Sequence, residues 1–156
     1  MNVRKAEIED IEIISKIYEA CFPKELNHRL WIEASFNSFP RGVYYVIEQD
    51  CIVVGYILWC VKNGFRNGTI AELEQIGIHP MYSGNGFGRS LIESSISKFK
   101  LHVESLGHAI SSLMVTTSEG NFAESLYIST LGVSRSAVVT GYGSGSEVIL
   151  YNNSFN

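Results

Sequence analysis

Three glycines at alternate positions, Gly84, Gly86 and Gly88, stand where the apolar run "IGI" hands over to the amphipathic pattern "LIESSI". Glycine weakens helices and strands alike, so three of them at such a junction need a reason. A glycine-rich loop that opens a helix is an anion site. Its backbone N–H groups point outward, the helix dipole favours negative charge, and the missing side chains let a phosphate come close. Three standard loops come into question. The nucleoside-triphosphate loop G-x-x-x-x-G-K-[ST] does not fit, because "YSGNGFGRS" lacks both its first glycine and its lysine. The dinucleotide fingerprint G-x-G-x-x-G does not fit either, since the third glycine comes one residue early. The third is a pyrophosphate loop for coenzyme A. The plain alternative is a turn whose glycines only satisfy backbone geometry.

Two carboxylates precede the loop. Glu72 and Glu74 are two residues apart in a strand-like stretch, which puts them on one face. They are the candidates for accepting a proton; the plain alternative is a pair of solvated residues on a half-exposed strand. His28, His79, His102 and His108 show no metal-ligand spacing, and His79 alone lies near the loop. No metal site is expected. The three cysteines, Cys21, Cys51 and Cys60, make no C-x-x-C pair and each sits in an apolar segment, which reads as buried thiols rather than disulfides or zinc ligands.

The elements around these residues follow from periodicity. "IEDIEIISKIYEACF" carries Ile8, Ile11, Ile14, Ile17, Tyr18 and Cys21 at helical spacing, and Pro23 stops it. A shorter helix is expected around "LNHRLWIEASF", before a turn at Pro40 and Gly42. "VYYVIE" and "CIVVGYILWCVK" form a hairpin with a tight turn at Gln49-Asp50. The two Asn-Gly pairs of "KNGFRNGT" predict a turn into a third strand, "IAELEQIGI". From Gly88 onward, Leu91, Ile92, Ser95, Ile96, Phe99 and Val103 line one helical face that ends near Gly107. "SSLMVTT" is a strand, and "NFAESLYISTLG" is a helix closed by Gly132. "VSRSAVVT" and "SEVILY" are a last strand pair around the loop "GYGSGS". Strand, helix, strand implies one parallel pair in a mostly antiparallel sheet.

The chain has 156 residues, no repeat and no linker, and reads as a single domain over 1–156. Its formal net charge of −4 argues against a general nucleic-acid binder, which would carry a basic excess. The charged start lacks a signal-peptide core, and the longest apolar run, "CIVVGYILWCV", is far too short to span a membrane. The expectation is a soluble, cytoplasmic protein with no membrane partner.

"IGIHPMYSGNGFGRSLIESSI" resembles the acetyl-CoA-binding motif of the GNAT superfamily of N-acetyltransferases, V-x-P-x-x-[QR]-x-x-G-x-[GA] between a strand and a helix. Ile78 takes the place of the valine, and Gly86 and Gly88 fall on the motif glycines. "AESLYISTLGV" is similar to the family's A-x-x-L-Y-x-x-x-G-F. The resemblance implies an α/β fold: a mixed, mostly antiparallel, twisted sheet with about four flanking helices and two central parallel strands that splay around the pantetheine arm. It implies that the backbone at Ile76 and Ile78 bonds that arm. It further implies that Ser83, Gly84, Asn85, Gly86, Phe87, Gly88 and Arg89 surround the pyrophosphate, and that Tyr127 protonates the departing thiolate. The chain departs from the pattern at three points. Ser83 replaces the glutamine or arginine. Gly120 stands where an asparagine is usual, with Asn121 one residue late; Asn121 is either a cofactor contact or a helix N-cap with Glu124 three residues on. "SSLMVTT" lacks the glutamate that ribosomal-protein alanine acetyltransferases carry there.

Acetyl transfer to an amine needs the amine neutral. At pH 7 this costs about 4.6 kcal/mol for a lysine-like amine and about 1–1.4 kcal/mol for an α-amine. Glu72 and Glu74 are the candidate bases, acting directly or through water, and a backbone N–H near Ile78 is the candidate oxyanion donor. The resemblance thus implies an acetyl-CoA-dependent N-acetyltransferase working by direct attack in a ternary complex. The acceptor is a protein or peptide N-terminus, towards which "CFPKEL" and "GYGSGSEVILY" lean, or a small amine such as a polyamine, aminoglycoside or amino acid. A non-catalytic acyl-CoA-binding domain is the alternative from another class. The expected assembly is a monomer or homodimer.

Overall fold

The computed structural model of the chain describes every residue except Ser144 and Asn156. Seven strands and four helices follow one another as β1 (Asn2–Lys5), α1 (Ile11–Cys21), α2 (His28–Phe36), β2 (Gly42–Gln49), β3 (Ile52–Lys62), β4 (Asn67–Ile78), α3 (Phe87–Ser105), β5 (Ala109–Ser118), α4 (Glu124–Leu131), β6 (Ser134–Tyr142) and β7 (Gly145–Asn152). Short 3-10 turns precede α1 at Ile8–Asp10 and α3 at Pro80–Tyr82. The strands are hydrogen-bonded in the order β1-β2-β3-β4-β5-β7-β6. β1–β2, β2–β3, β5–β7 and β6–β7 pair antiparallel, and β4–β5 pairs parallel. This is the mixed, mostly antiparallel α/β sheet that the sequence implies.

Two compact units divide the chain: Met1–Cys60 with Gln75–Phe99, and Val61–Glu74 with Lys100–Asn156. In the first, β2 and β3 are buried on both faces, which is why they read as nearly unbroken apolar runs. Tyr44, Val46, Tyr56 and Leu58 pack in one cluster with Ile11, Ile14, Ile17 and Tyr18 of α1 and Ile32 of α2. On the other face Trp59 stacks on Phe99 of α3 at 6.1 Å between ring centroids. Its indole N–H donates to Ser95 Oγ at 2.8 Å. That bond explains a serine in the middle of an apolar helical stripe, since both polar groups are buried and each satisfies the other. Leu91, Ile92, Ser95, Ile96 and Phe99 are each buried, as the helical spacing predicts; Val103, in the second unit, is buried too.

In the second unit, Leu113 and Val115 of β5, Val148 and Leu150 of β7, and Tyr127 and Leu131 of α4 are buried. Gly132 closes α4 at φ 64°, and Asn152 Nδ2 donates to Leu131 O at 3.0 Å. Every residue of β6 is exposed.

The structure corrects several local expectations. β1 has no signature in the sequence: its four residues, two of them charged, carry no apolar alternation, and pairing with β2 makes them a strand. The β2–β3 turn sits one residue later than expected, at Asp50 and Cys51, which both adopt positive φ (52° and 65°). Cys51 is consequently exposed rather than buried. Asn63 and Gly64 form the expected turn at positive φ (59° and 87°), but Asn67 and Gly68 lie inside β4, where the register shifts against β5. The second Asn-Gly pair makes a bulge, the other use of a left-handed glycine. α4 begins at Glu124, three residues later than expected. The β6–β7 connection is shorter than the predicted loop, and its Ser144 lies outside the described residues.

Candidate active site

The strand end and glycine loop belong to the first unit. β4 runs through Ile76 and Ile78, both partly buried, and its end is tied from two sides. His79 N–H donates to Val54 O at 2.9 Å, and the Cys21 thiol donates to Ile78 O at 3.2 Å. A single 3-10 turn follows. His79 caps it, its Nδ1 accepting from Met81 N–H at 3.2 Å. This gives the histidine nearest the loop a local structural role. Ser83 Oγ donates to Pro80 O at 2.9 Å. Asn85 Nδ2 donates to the carbonyls of Tyr82 and Ser83 at 3.1 and 3.3 Å. Ser83 and Asn85 therefore fold the loop onto itself.

Gly84 and Gly86 adopt φ of 78° and 80°, the left-handed region that a side chain resists. A Cβ built on either would meet no atom within 4 Å. Nothing packed inside the protein requires these glycines; the backbone turn does, and the space above them is open. Phe87 is buried and starts α3, and Gly88 is its second residue. Ser90 N–H bonds back to Gly86 O at 3.1 Å, so the helix opens directly on the loop. The N–H groups of a first helical turn have no intrahelical acceptor and carry the positive end of the helix dipole. Arg89 Nη1 lies 3.3 Å from Glu93 Oε1, an exposed i,i+4 pair that directs its charge along the helix.

The remaining candidates belong to the second unit. Glu72 and Glu74 alternate with the buried Ala71 and Leu73, so they share a face as the strand period predicts. Their surroundings differ. Glu72 is largely enclosed, with 12% of its side chain exposed, and pairs with Lys62 at 3.0 Å. Glu74 is exposed. Lys62, the last residue of β3, has no signal in the sequence that marks it as the partner of Glu72 in β4. The β4–β5 register runs from Asn67↔Ala109 to Leu73↔Val115 and stops there, while β4 continues to Ile78 and β5 to Ser118.

Tyr127 is buried, and burial pushes its phenol above the ordinary value. Among the described residues its hydroxyl makes no hydrogen bond. Asn121 Oδ1 accepts from Ala123 N–H at 2.9 Å and Glu124 N–H bonds Asn121 O at 3.2 Å, an Asx turn just before α4 rather than an N-cap with Glu124 as its partner. Glu124 instead forms a two-bond fork with Arg135, at 2.6 and 2.9 Å, which holds its carboxyl below the ordinary range.

The family model of the acetyltransferase (GNAT) family matches residues 11–132, most of the chain. The chain belongs to that family. Its members are N-acetyltransferases, and this acetyltransferase shares its fold with solved structures of low identity. The ribosomal-protein-S18-alanine N-acetyltransferase of Escherichia coli is 18% identical, with a TM-score of 0.76 over 99% of this chain and 95% of that one. Ard1 of Thermoplasma volcanium is 15% identical, with a TM-score of 0.76 over 99% and 98%. An aminoglycoside 6'-N-acetyltransferase complexed with coenzyme A is 13% identical, with a TM-score of 0.76 over 100% and 98%. No curated protein sequence matches this acetyltransferase. Among its described residues no helix is long and apolar enough to cross a membrane, and no three His, Cys, Asp or Glu side chains gather as a metal site.

Proposed function

We propose that residues 1–156 form one acetyltransferase domain that moves the acetyl group of acetyl-CoA to a primary amine, namely a protein or peptide N-terminal α-amine, by direct attack in a ternary complex. The observation that carries the reading is the pair of left-handed glycines, Gly84 and Gly86, in open space at the mouth of α3. That is the geometry in which backbone donors can reach a diphosphate without a side chain in the way. Ser83 supplies no charge there, so the backbone and helix dipole carry the phosphate contacts. The end of the β4–β5 register at Leu73↔Val115 supports a role for the later β4 backbone in bonding the pantetheine amides at Ile76 and Ile78.

Each residue then has a stated task. The backbone N–H near Ile78 stabilises the developing oxyanion. Glu74, exposed and nearer the end of β4 than Glu72, takes the amine proton through water. An α-amine asks less of such an exposed base than a lysine would. Tyr127, protonated at neutral pH as any phenol near its ordinary value is and raised further by burial, donates to the departing thiolate.

The reading is tested by following free-thiol release from acetyl-CoA across a panel of N-terminal peptides, polyamines, aminoglycosides and amino acids. Turnover led by peptides supports it; turnover led by a polyamine or aminoglycoside rejects the α-amine acceptor, and acetyl-CoA binding without turnover of any amine rejects catalysis. Tyr127→Phe is expected to keep the melting temperature and acetyl-CoA affinity and to lose at least about tenfold in kcat, at the low end of general-acid effects because a thiolate is a good leaving group. Wild-type turnover in that variant removes the acid role.

A further inference from the structure

A cavity of about 350 Å³ opens where β1, the end of α2 and the start of β2 meet, and the acetyl transfer proposed above makes no use of it. It lies wholly within the first unit, apart from the glycine loop. Val43 of the cavity pairs with Trp59 of β3. The loop instead leaves β4 beside Val54, whose carbonyl accepts from His79 N–H. From Val54 to Trp59 along β3 is five residues, or about 16 Å at about 3.3 Å each.

Hydrogen bonds fix the backbone around the cavity. Ala6 N–H donates to Tyr44 O at 2.9 Å and ties the end of β1 to β2. Asn37 N–H donates to Glu33 O at 3.0 Å and Arg41 N–H to Ser38 O at 2.9 Å, which turn the chain from α2 into β2. The walls are apolar. Val43 and Tyr44 are buried, the Tyr44 ring lies 6.0 Å from that of Tyr56, and Phe36 packs against the apolar cluster of α1, α2 and β2. The rim is polar and carries one sign of charge. Lys5 Nζ sits 4.0 Å from the centre of the Phe39 ring. Lys5 is the one charged residue of the lining, and among the described residues no carboxylate lies within 4 Å of its ammonium. An ammonium has three N–H donors, and a ring face engages it from one side only. The Asn37 side-chain amide, also at the cavity, makes no hydrogen bond among the described residues.

A solvated lysine is ordinary on a surface. One that stands with an open amide over an apolar, walled cavity offers a paired recognition: burial for a hydrocarbon body and charge-assisted hydrogen bonds for an anion. The volume is near the lower end of small-molecule sites, about 300–1,000 Å³, which suits a single ring rather than a nucleotide. We propose that this cavity binds a small aryl carboxylate. The ring lies against Phe36, Val43 and Tyr44, and the carboxylate accepts from Lys5 Nζ and from the Asn37 side-chain amide. The site is distinct from that of acetyl-CoA and does not depend on which amine the protein acetylates.

Calorimetry on the full chain tests this with benzoate, phenylacetate and 3-phenylpropionate, against phenylacetamide and acetate, with and without saturating acetyl-CoA. Phenylacetate should bind about tenfold or more tightly than phenylacetamide, which has the ring without the charge. It should exceed acetate, which has the charge without the ring, by at least about as much. Acetyl-CoA should leave these affinities unchanged. Lys5→Gln should weaken phenylacetate by about tenfold and leave phenylacetamide where it was, and Lys5→Arg should retain the preference. Phe39→Ala should weaken both ligands. Lys5 and Phe39 are exposed, so each variant should keep the wild-type melting temperature. No binding of any of the three aryl carboxylates overturns the proposal, as does wild-type binding of phenylacetate and phenylacetamide with equal affinity. A preference that survives in Lys5→Gln puts the carboxylate elsewhere and overturns it too. Displacement of phenylacetate by acetyl-CoA assigns the anion to the glycine loop, with the same consequence.

Discussion

Gly55 and Gly77 lie in β3 and β4, and Gly84 and Gly86 lie in the loop after β4. The two pairs are glycine for opposite reasons. A Cβ on Gly77 would come within 2.8 Å of the buried Tyr56 ring. One on Gly55 would meet Ile78 Cδ1 at 2.4 Å and Gly77 O at 3.0 Å. These two have ordinary strand backbones and no room. The loop pair has open space where a Cβ would stand and a backbone turned to φ near 80°. A strand glycine of this kind protects packing and belongs to stability. A loop glycine in empty space protects a backbone shape, and the open space beside it is what a ligand can use.

The contrast predicts which measurement each substitution moves. Gly77→Val should have the largest effect. The Tyr56 ring is fully buried and has nowhere to go, so overpacking should cost about 3 kcal/mol, near the top of the usual range. For a chain of this size that is a fall of about 6–12 °C in melting temperature. A melting curve within a degree of wild type would show that the strand tolerates a side chain and would dissolve the contrast from its packing side.

Gly86→Val comes next and should move binding instead. The left-handed turn adds about 1–2 kcal/mol of strain, while the side chain intrudes on the proposed phosphate site. Acetyl-CoA affinity by calorimetry should weaken by about tenfold or more, equivalent to about 1.4 kcal/mol, in a protein that stays folded. Unchanged affinity would remove the loop from the cofactor site. Ser83→Arg sharpens the same arm with a smaller, opposite effect. It gives up the bond to Pro80 O and gains a charge beside the diphosphate, so affinity should tighten by a few-fold, on the order of one charge-assisted contact.

The smallest effect separates stability from binding along the pH axis. Asp10 accepts two hydrogen bonds from Arg4, at 2.7 and 3.0 Å, which hold its carboxyl below the ordinary range. A carboxyl depressed in the folded state contributes stability above its unfolded pKa, about 3.9, and loses it as pH falls through the lower folded value. The melting temperature should therefore be level in this respect above about pH 5 and decline below about pH 4, with a shallower decline in Asp10→Asn. An acetyl-CoA affinity that falls with pH while the melting temperature holds would then report on the loop and not on the fold.

Much of the fold was legible because it rests on local rules. The buried stripe of α3, the left-handed Gly132 that ends α4, and the parallel pair implied by strand, helix and strand all follow from short-range spacing. The misreadings arose where one local signal has two structural uses. Asn67-Gly68 is a bulge and Asn63-Gly64 a turn, and only the pairing partner distinguishes them. β1 has too few apolar residues to announce itself without β2.

The site divides in the same way. The sequence by itself determined the family motif, the position of the glycine loop at a helix start and the shared face of Glu72 and Glu74, because each is a matter of order and period along one segment. Tertiary structure decided what those residues meet. It pairs Glu72 with Lys62 and leaves Glu74 exposed. It buries Tyr127, turns Asn121 back on its own backbone, and brings the Cys21 thiol to Ile78, 57 residues away. Such contacts depend on how separate elements pack, and no periodicity within one segment encodes the partner that another segment will present.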